Sequence, residues 1–357
     1  MTLAIGAPSN SGNGLYSGQV RVYYWDGFTW AQRGADIDGE AAGDESGISV
    51  SLSDDGMTLA IGAYANAGVN GVNSGHVRVY YWNGSAWSQR GTDIDGEAAG
   101  DYSGQSVSIS SDGNVVAIGS RWNSGNGVDS GHVRIYYWNG STWAQRGLDI
   151  DGEAGGDESG YSVCLSSDGN TLAIGAPHND ANGTSSGHVR IYFWNGSAWS
   201  QRGADIDGEA AGDYSGYSVS LSDDGMTLAV GAPYKDGVNG VNSGHVRVYF
   251  WDGFTWAQRG ANIDGEAAND ESGKSVALSS DGSILAIGAS GNSSGHVRIY
   301  HWDGSTWYQL GADIGGEAAY DYSGYSVSLS SDGHKVAIGA PYNGGNGGGF
   351  VRVFAFS

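Results

Sequence analysis

The 357-residue sequence is notable first for what it has little of. A single cysteine, Cys164, leaves no partner for an intramolecular disulfide framework. Basic residues are scarce, 16 Lys and Arg against 39 Asp and Glu, for a net charge of −23. That balance excludes a general nucleic-acid binder, which needs a basic footprint. No apolar run approaches the roughly 20 residues of a membrane helix, and no segment carries the 3.6-residue apolar period of an amphipathic helix. Glycine, in contrast, is abundant, with 64 residues, beside 13 Trp and 21 Tyr. The glycines lack a Gly-X-Y period, so collagen is excluded, and the aromatic content argues against disorder.

What is present is one unit copied. TLAIGA at positions 2–7 returns at 58–63 and 171–176, as TLAVGA at 227–232, and in looser form at 115–120, 284–289 and 335–340. The glycines of these strings, Gly6, Gly62, Gly119, Gly175, Gly231, Gly288 and Gly339, stand 56, 57, 56, 56, 57 and 51 residues apart. VRVYYW-like strings start at Val20, Val77, Val133, Val189, Val246, Val297 and Val351, and W-x-Q-R-G strings at Trp30, Trp87, Trp143, Trp199 and Trp256, with WYQLG at Trp307. SVSLS-like strings start at Ser49, Ser106, Ser162, Ser218, Ser275 and Ser326. All are short, β-branched or aromatic, and bounded by Gly, Asp, Asn or Ser, as strands are. In TLAIGA the bulky Leu59 and Ile61 share one face and the small Ala60 and Gly62 the other, so sheets can stack bulky side into small side. Four strands in a repeat of about 56 residues is the sequence form of a β-propeller. The expectation is a single all-β domain over 1–357. It has seven four-stranded antiparallel blades, the first lacking its SVSLS strand and the last its W-x-Q-R-G strand; six blades are the alternative. Met1 stands where Met57 and Met226 stand in other repeats, so the chain reads as part of a longer one, and the lack of a leader says little about export.

The order S-G-x-S-V-S-L-S-x-D-G-x-T-L-A-I-G-A-P followed by S-G-H-V-R-V-Y resembles the FG-GAP repeat of integrin α-subunit propellers and of related bacterial and algal proteins. Gly-Ala-Pro is literal at Gly6, Gly175, Gly231 and Gly339, whereas the leading Phe-Gly is Ser-Gly here. The resemblance implies a secreted or surface propeller that binds partners. The family's Asp-rich calcium loop is shortened to S-x-D-G, too short to encircle an ion.

A different acidic segment follows the W-x-Q-R-G strand. It reads Asp36, Asp38, Glu40, Asp44, and recurs as Asp93, Asp95, Glu97, Asp101, then Asp149, Asp151, Glu153, Asp157, then Asp205, Asp207, Glu209, Asp213. The fifth copy has Asn262 first, and the sixth has Gly315 second. Carboxylates at relative positions 1, 3, 5 and 9 resemble the ligand order of an EF-hand loop, which makes calcium a candidate cofactor. The competing reading is solvated turns in which Asp caps backbone amides. The strand arginines, Arg78 and its equivalents, need anionic partners, with Glu40 and its copies first in line. The histidines of S-G-H-V-R read as strand-entry hydrogen-bonders, since no second His has metal-ligand spacing. The repeated tryptophans read as inter-blade core.

The segments between TLAIGA and VRVYYW vary most. Their distinctive side chains, Tyr64, Arg121, Trp122, His178, Tyr234 and Lys235, are the candidates to contact a protein or glycan ligand at the loop face. Sequons head at Asn83, Asn139, Asn182, Asn195 and Asn292, three of them in N-G-S hairpin turns. No H-E-x-x-H or phosphate loop is present. Catalysis needs one asymmetric site, whereas the copies are near-identical. The expectation is therefore a non-enzymatic, secreted or cell-surface module for binding or adhesion, without nucleic-acid binding or membrane insertion. The alternatives are a glycan-binding lectin and a structural coat or matrix element.

Overall fold

The computed structural model describes residues 1–292, 294–342 and 348–356. The chain is an all-β, seven-bladed propeller, with seven antiparallel sheets in sequence order. Ser293, in the sixth variable segment, lies outside the described residues. The second sheet shows the plan: inner strand Ser49–Leu52, second strand Thr58–Ala63, third strand His76–Trp82 and outer strand Trp87–Gln89. Each pairs with the next, with Leu52 opposite Leu59, Ile61 opposite Arg78 and Trp82 opposite Trp87. The first sheet has no inner strand and the last ends at its third, Phe350–Ala355, among the described residues.

One element escapes the sequence reading. The start of the acidic connector, Ile94–Asp95, is a two-residue strand that pairs with His76 and Val77, so most blades have five strands rather than four. Ile94 is buried, and its apolar side chain in a polar segment is what pins the connector back onto its own blade.

The chain packs as two compact units, Met1–Leu172 with Phe193–Ser200, and Ala173–Tyr192 with Gln201–Ser357. Within the first unit the bulky face of the second strand, Leu59 and Ile61, packs on Val20 and Val22 of the preceding blade. Its small face, Ala60, joins Val77 and Val79 against Val116 and Ile118 of the next. Burying each of these aliphatic side chains contributes about 1.5–3 kcal/mol. In the second unit Leu285 and Ile287 pack in the same way on Val246 and Val248.

The glycine of TLAIGA sets how closely blades approach. A Cβ on Gly62 would lie 2.0 Å from the carbonyl oxygen of Gly104 in the next blade, and one on Gly119 would lie 2.0 Å from that of Gly160. The serines of SVSLS, expected only as the polar half of an alternating strand, bridge the same interface. Ser49 Oγ donates to Gly104 O at 2.7 Å, and Ser51 Oγ accepts from the backbone N–H of Ile109 at 3.1 Å. At the rim Trp87 Nε1 donates to Arg33 O at 2.8 Å and Trp143 Nε1 to Arg90 O at 2.7 Å, while the Arg90 guanidinium lies 4.8 Å from the Trp138 ring. The repeated tryptophans thus lie at the seams between blades.

Gly119→Ala should therefore lower stability by about 3 kcal/mol, because backbone rather than a flexible side chain must give way. Equilibrium denaturation checks this, and an unchanged midpoint would contradict the packing described.

Candidate functional site

Every blade after the first opens on the same tight turn, D-x-S-G-x-S, and two of its positions are not copied. They carry Glu45 and Ile48, Tyr102 and Gln105, Glu158 and Tyr161, Tyr214 and Tyr217, Glu271 and Lys274, and Tyr322 and Tyr325. The first of each pair has a positive φ, 52° at Glu45, 55° at Tyr102 and 53° at Glu158, a conformation costly for residues with a Cβ. The N–H of the second bonds back to the carbonyl of the first, as from Tyr161 to Glu158 at 3.1 Å. The turn thus presents two non-repeated side chains beside the variable residue that follows the second strand.

In the first unit this brings together Tyr64, Arg121 and Trp122 from the variable segments with Glu45, Tyr102, Glu158 and Tyr161 from the turns. Arg121 Nη1 lies 3.5 Å from Glu158 Oε2. Its guanidinium stands 4.2 Å from the Trp122 ring centroid and 5.1 Å from that of Tyr161. Tyr102 meets Trp122 edge-on at 4.3 Å and Tyr64 at 5.5 Å, and accepts a 2.7 Å hydrogen bond from Asn73 Nδ2 at its hydroxyl. Tyr64 Oη donates to Glu45 Oε2 at 3.1 Å. Burial, then the Glu45 charge, pushes the Tyr64 pKa up to about 12, so its hydroxyl keeps its proton as a donor.

The second unit has its own cluster. Lys274 Nζ donates to Tyr234 Oη at 2.7 Å, pairs with Glu271 Oε2 at 3.0 Å, and lies 4.6 Å from the Tyr217 ring. Burial opposes its charge, but the two tyrosines and Glu271 outweigh that, and its pKa is raised. His178 meets Tyr214 edge-on at 5.0 Å, and Lys235 Nζ lies 3.8 Å from Asp213 Oδ1. All six variable-segment candidates thus have placed partners. The residues missed are those of the turns, and their signal is visible in sequence: within an otherwise fixed string they are the positions that change.

The acidic connectors are arranged differently from the EF-hand-like expectation. Asp44 Oδ2 accepts from the backbone N–H groups of Glu40 and Ala41 at 3.1 and 2.8 Å, and Asp101, Asp157 and Asp213 accept equivalently from Ala98, Ala154 and Ala210. Asp36 accepts from Gln32 and Asp38 from Gln19. Asp93, Asp149 and Asp205 accept from Gln89, Gln145 and Gln201. Burial first, then the Asp93 charge, raises the Asp95 pKa. Glu40 and Glu97 reach across to Arg78 and Arg134 of the next blade, 3.7 and 3.6 Å away. Glu209 Oε2 lies 3.8 Å from His245 Nδ1. Asp151, Glu153 and Asp207 hold the same repeat positions. Among the described residues no three carboxylates of one connector converge as ligands. The shortened S-x-D-G turn is closed on itself by Ser53 Oγ donating to Asp55 Oδ1 at 2.6 Å. A separate hollow of about 240 Å³ between the first two blades is lined by Asp36, Asp38, Tyr80 and Trp87, among others.

The FG-GAP repeat family matches residues 37–80, 89–136, 148–192 and 206–249, half of the chain. The chain belongs to the FG-GAP repeat family. No curated protein sequence matches it. Among solved structures, this FG-GAP propeller is similar to a Bacteroides uniformis protein provisionally named 6-phosphogluconolactonase, at 11% identity and TM-score 0.65 over 99% of this chain and 96% of that one. It is also similar to the periplasmic gluconolactonase of Pseudomonas aeruginosa, at 15% identity and TM-score 0.61 over 99% and 98%. A Lactobacillus plantarum protein matches at 12% identity and TM-score 0.65 over 100% and 93%. At these identities the likeness is one of fold. It nevertheless overturns the expectation of a non-enzymatic adhesion module, lectin or coat element. Chains sharing the fold almost end to end carry enzyme names, and the argument from identical copies fails because the turn positions are not identical. Among the described residues no helix is long and apolar enough to cross a membrane.

His76, His132, His245 and His296 are buried where the third strand begins. His245 is 1% exposed, and burial, then the neighbouring Arg247, lowers its pKa from 6.5 to about 4 against the opposing pull of Glu209. A folded pKa below the unfolded one means the unfolded chain binds the proton first. The stability held above pH 6.5 is then lost as pH falls toward about 4, at about 1.4 kcal/mol per pH unit. Denaturation of His245→Gln and the parent between pH 7 and 4 should show the variant's pH dependence flattened by that amount; parallel curves would refute a buried neutral His245.

Proposed function

We propose that this FG-GAP propeller is a hydrolase of sugar lactones, acting at the Arg121–Glu158 cluster of its first unit. The observation that carries the reading is that an ion pair walled by Trp122 and Tyr161 stands beside a second carboxylate–phenol pair, Glu45 and Tyr64. The lactonase names of two fold neighbours support it.

Lactone hydrolysis needs a base for water, a donor for the developing oxyanion and a surface for the ring. In this reading Glu158 takes a proton from water as the water oxygen bonds to the lactone carbonyl carbon. The tetrahedral oxyanion accepts hydrogen bonds from Arg121 and from the Tyr64 hydroxyl, whose one proton turns from Glu45 to the oxyanion. When the ring C–O bond breaks, the alkoxide takes up the proton and the product is the hydroxy acid. The flat faces of Trp122 and Tyr102 suit the C–H-rich side of a sugar ring. The periplasmic name of one neighbour supports an exported protein.

Acid release from gluconolactone, followed at constant pH, tests this. The protein should exceed the spontaneous rate, and Glu158→Gln and Arg121→Ala should each lower kcat/KM by about 10²-fold. Hydrolysis at the spontaneous rate, or full activity in both variants, would refute the assignment.

A further inference from the structure

We propose that the repeated Glu–His–Asp clusters between blades, Glu40–His76–Asp93, Glu97–His132–Asp149 and Glu266–His296–Asp313, bind divalent transition-metal ions of the zinc type. In each cluster one atom from each side chain lies within 4.8 Å of the others. The histidines are 2%, 1% and 8% exposed. His76 Nδ1 stands 4.0 Å from Glu40 Oε2 and 3.8 Å from Asp93 Oδ2, beyond hydrogen-bonding distance but converging on one point, and its Nε2 is buried without a partner. His132 Nδ1 stands 3.8 Å from Glu97 Oε2, and its Nε2 is likewise unpartnered. A buried imidazole facing two carboxylates without a hydrogen bond leaves polar atoms unsatisfied, which is costly. An ion between Nδ1 and the two carboxylates gives that nitrogen a partner and offsets both negative charges; Nε2, on the other side of the ring, is not part of the site.

The supporting groups already have the arrangement that metal ligands require. Asp93 Oδ1 accepts from Gln89 Nε2 at 2.6 Å, which leaves Oδ2 for the ion, and Asp149 and Asp313 are held likewise by Gln145 and Gln309. Arg78 faces the other oxygen of Glu40, Oε1, at 3.7 Å. Such outer partners fix ligand orientation. One imidazole and two carboxylates leave coordination positions for water and suit zinc better than calcium, which takes oxygen alone.

The chain contains its own control. In the first blade Gln19 stands at the histidine position and donates to Asp38 Oδ1 at 2.9 Å, so His→Gln is a replacement this fold accommodates. Calorimetric titration of the chelator-treated full chain with ZnCl₂ should give saturable binding of at least three ions, with one lost in each of His76→Gln, His132→Gln and His296→Gln. Co²⁺ should develop a visible absorption band that the triple variant lacks. Circular dichroism identifies any variant that fails to fold, and the single His132→Gln then carries the test. Saturable binding that is unchanged in the variants would mean adventitious binding to the acidic surface, and would overturn the proposal, as would no saturable binding at all.

Discussion

The close approach of glycine to glycine across each seam is the constraint on which the other contacts depend. Gly62 against Gly104, Gly119 against Gly160 and Gly231 against Gly273 leave no room for a Cβ, with hypothetical contacts of 2.0–2.1 Å. That proximity brings the Ser49 hydroxyl within reach of Gly104 and the Ser51 hydroxyl within reach of Ile109. It lets Leu59 and Ile61 fill the space beside Val20 and Val22. It also places Glu40 of one blade over His76 and Arg78 of the next. Packing, polar bridging and the buried charge clusters follow from one backbone distance repeated along the chain.

Much of this was legible in the sequence because it is local and periodic. The bulky-small alternation of TLAIGA, the tight S-x-D-G turn and the recurrence of about 56 residues lead directly to stacked four-stranded blades. The fifth strand was missed because Ile94 is a lone apolar residue in a charged run, too short to show a period. The connector carboxylates were read as one loop's ligand set because spacing along the chain was the available cue. In space Asp44 turns inward to cap its own backbone, whereas Glu40 turns outward to the next blade. The Glu–His–Asp clusters were hidden because their members are far apart in sequence and come from two blades. Only the pairing of Val77 with Ile94, together with blade stacking, brings Asp93 and Glu40 to the same imidazole.

The functional contrast lies between what is copied and what is not. A strand position identical in every blade serves the seams. The turn residues after each buried Asp change from blade to blade, and they sit in left-handed conformations that the surrounding hydrogen bonds enforce. Near-identical blades therefore present an asymmetric set of acids, bases and aromatic faces, with Arg121 and Glu158 in one unit and Lys274 and Tyr234 in the other. Repetition supplies rigidity, and variation at a few fixed points supplies chemistry.

Native-state hydrogen exchange tests the claim about the seams most directly. The amide protons of Ile109, Leu165 and Leu278 each bond to a serine hydroxyl of the preceding blade, at 3.1, 2.9 and 3.0 Å. If closely stacked blades are the basis of the fold, these amides exchange only through large-scale opening, as slowly as the buried second-strand amides of Ile61 and Ile118. Exchange as fast as that of the exposed loop residues Val69 and Val72 would show that the blades separate independently, and would contradict the account.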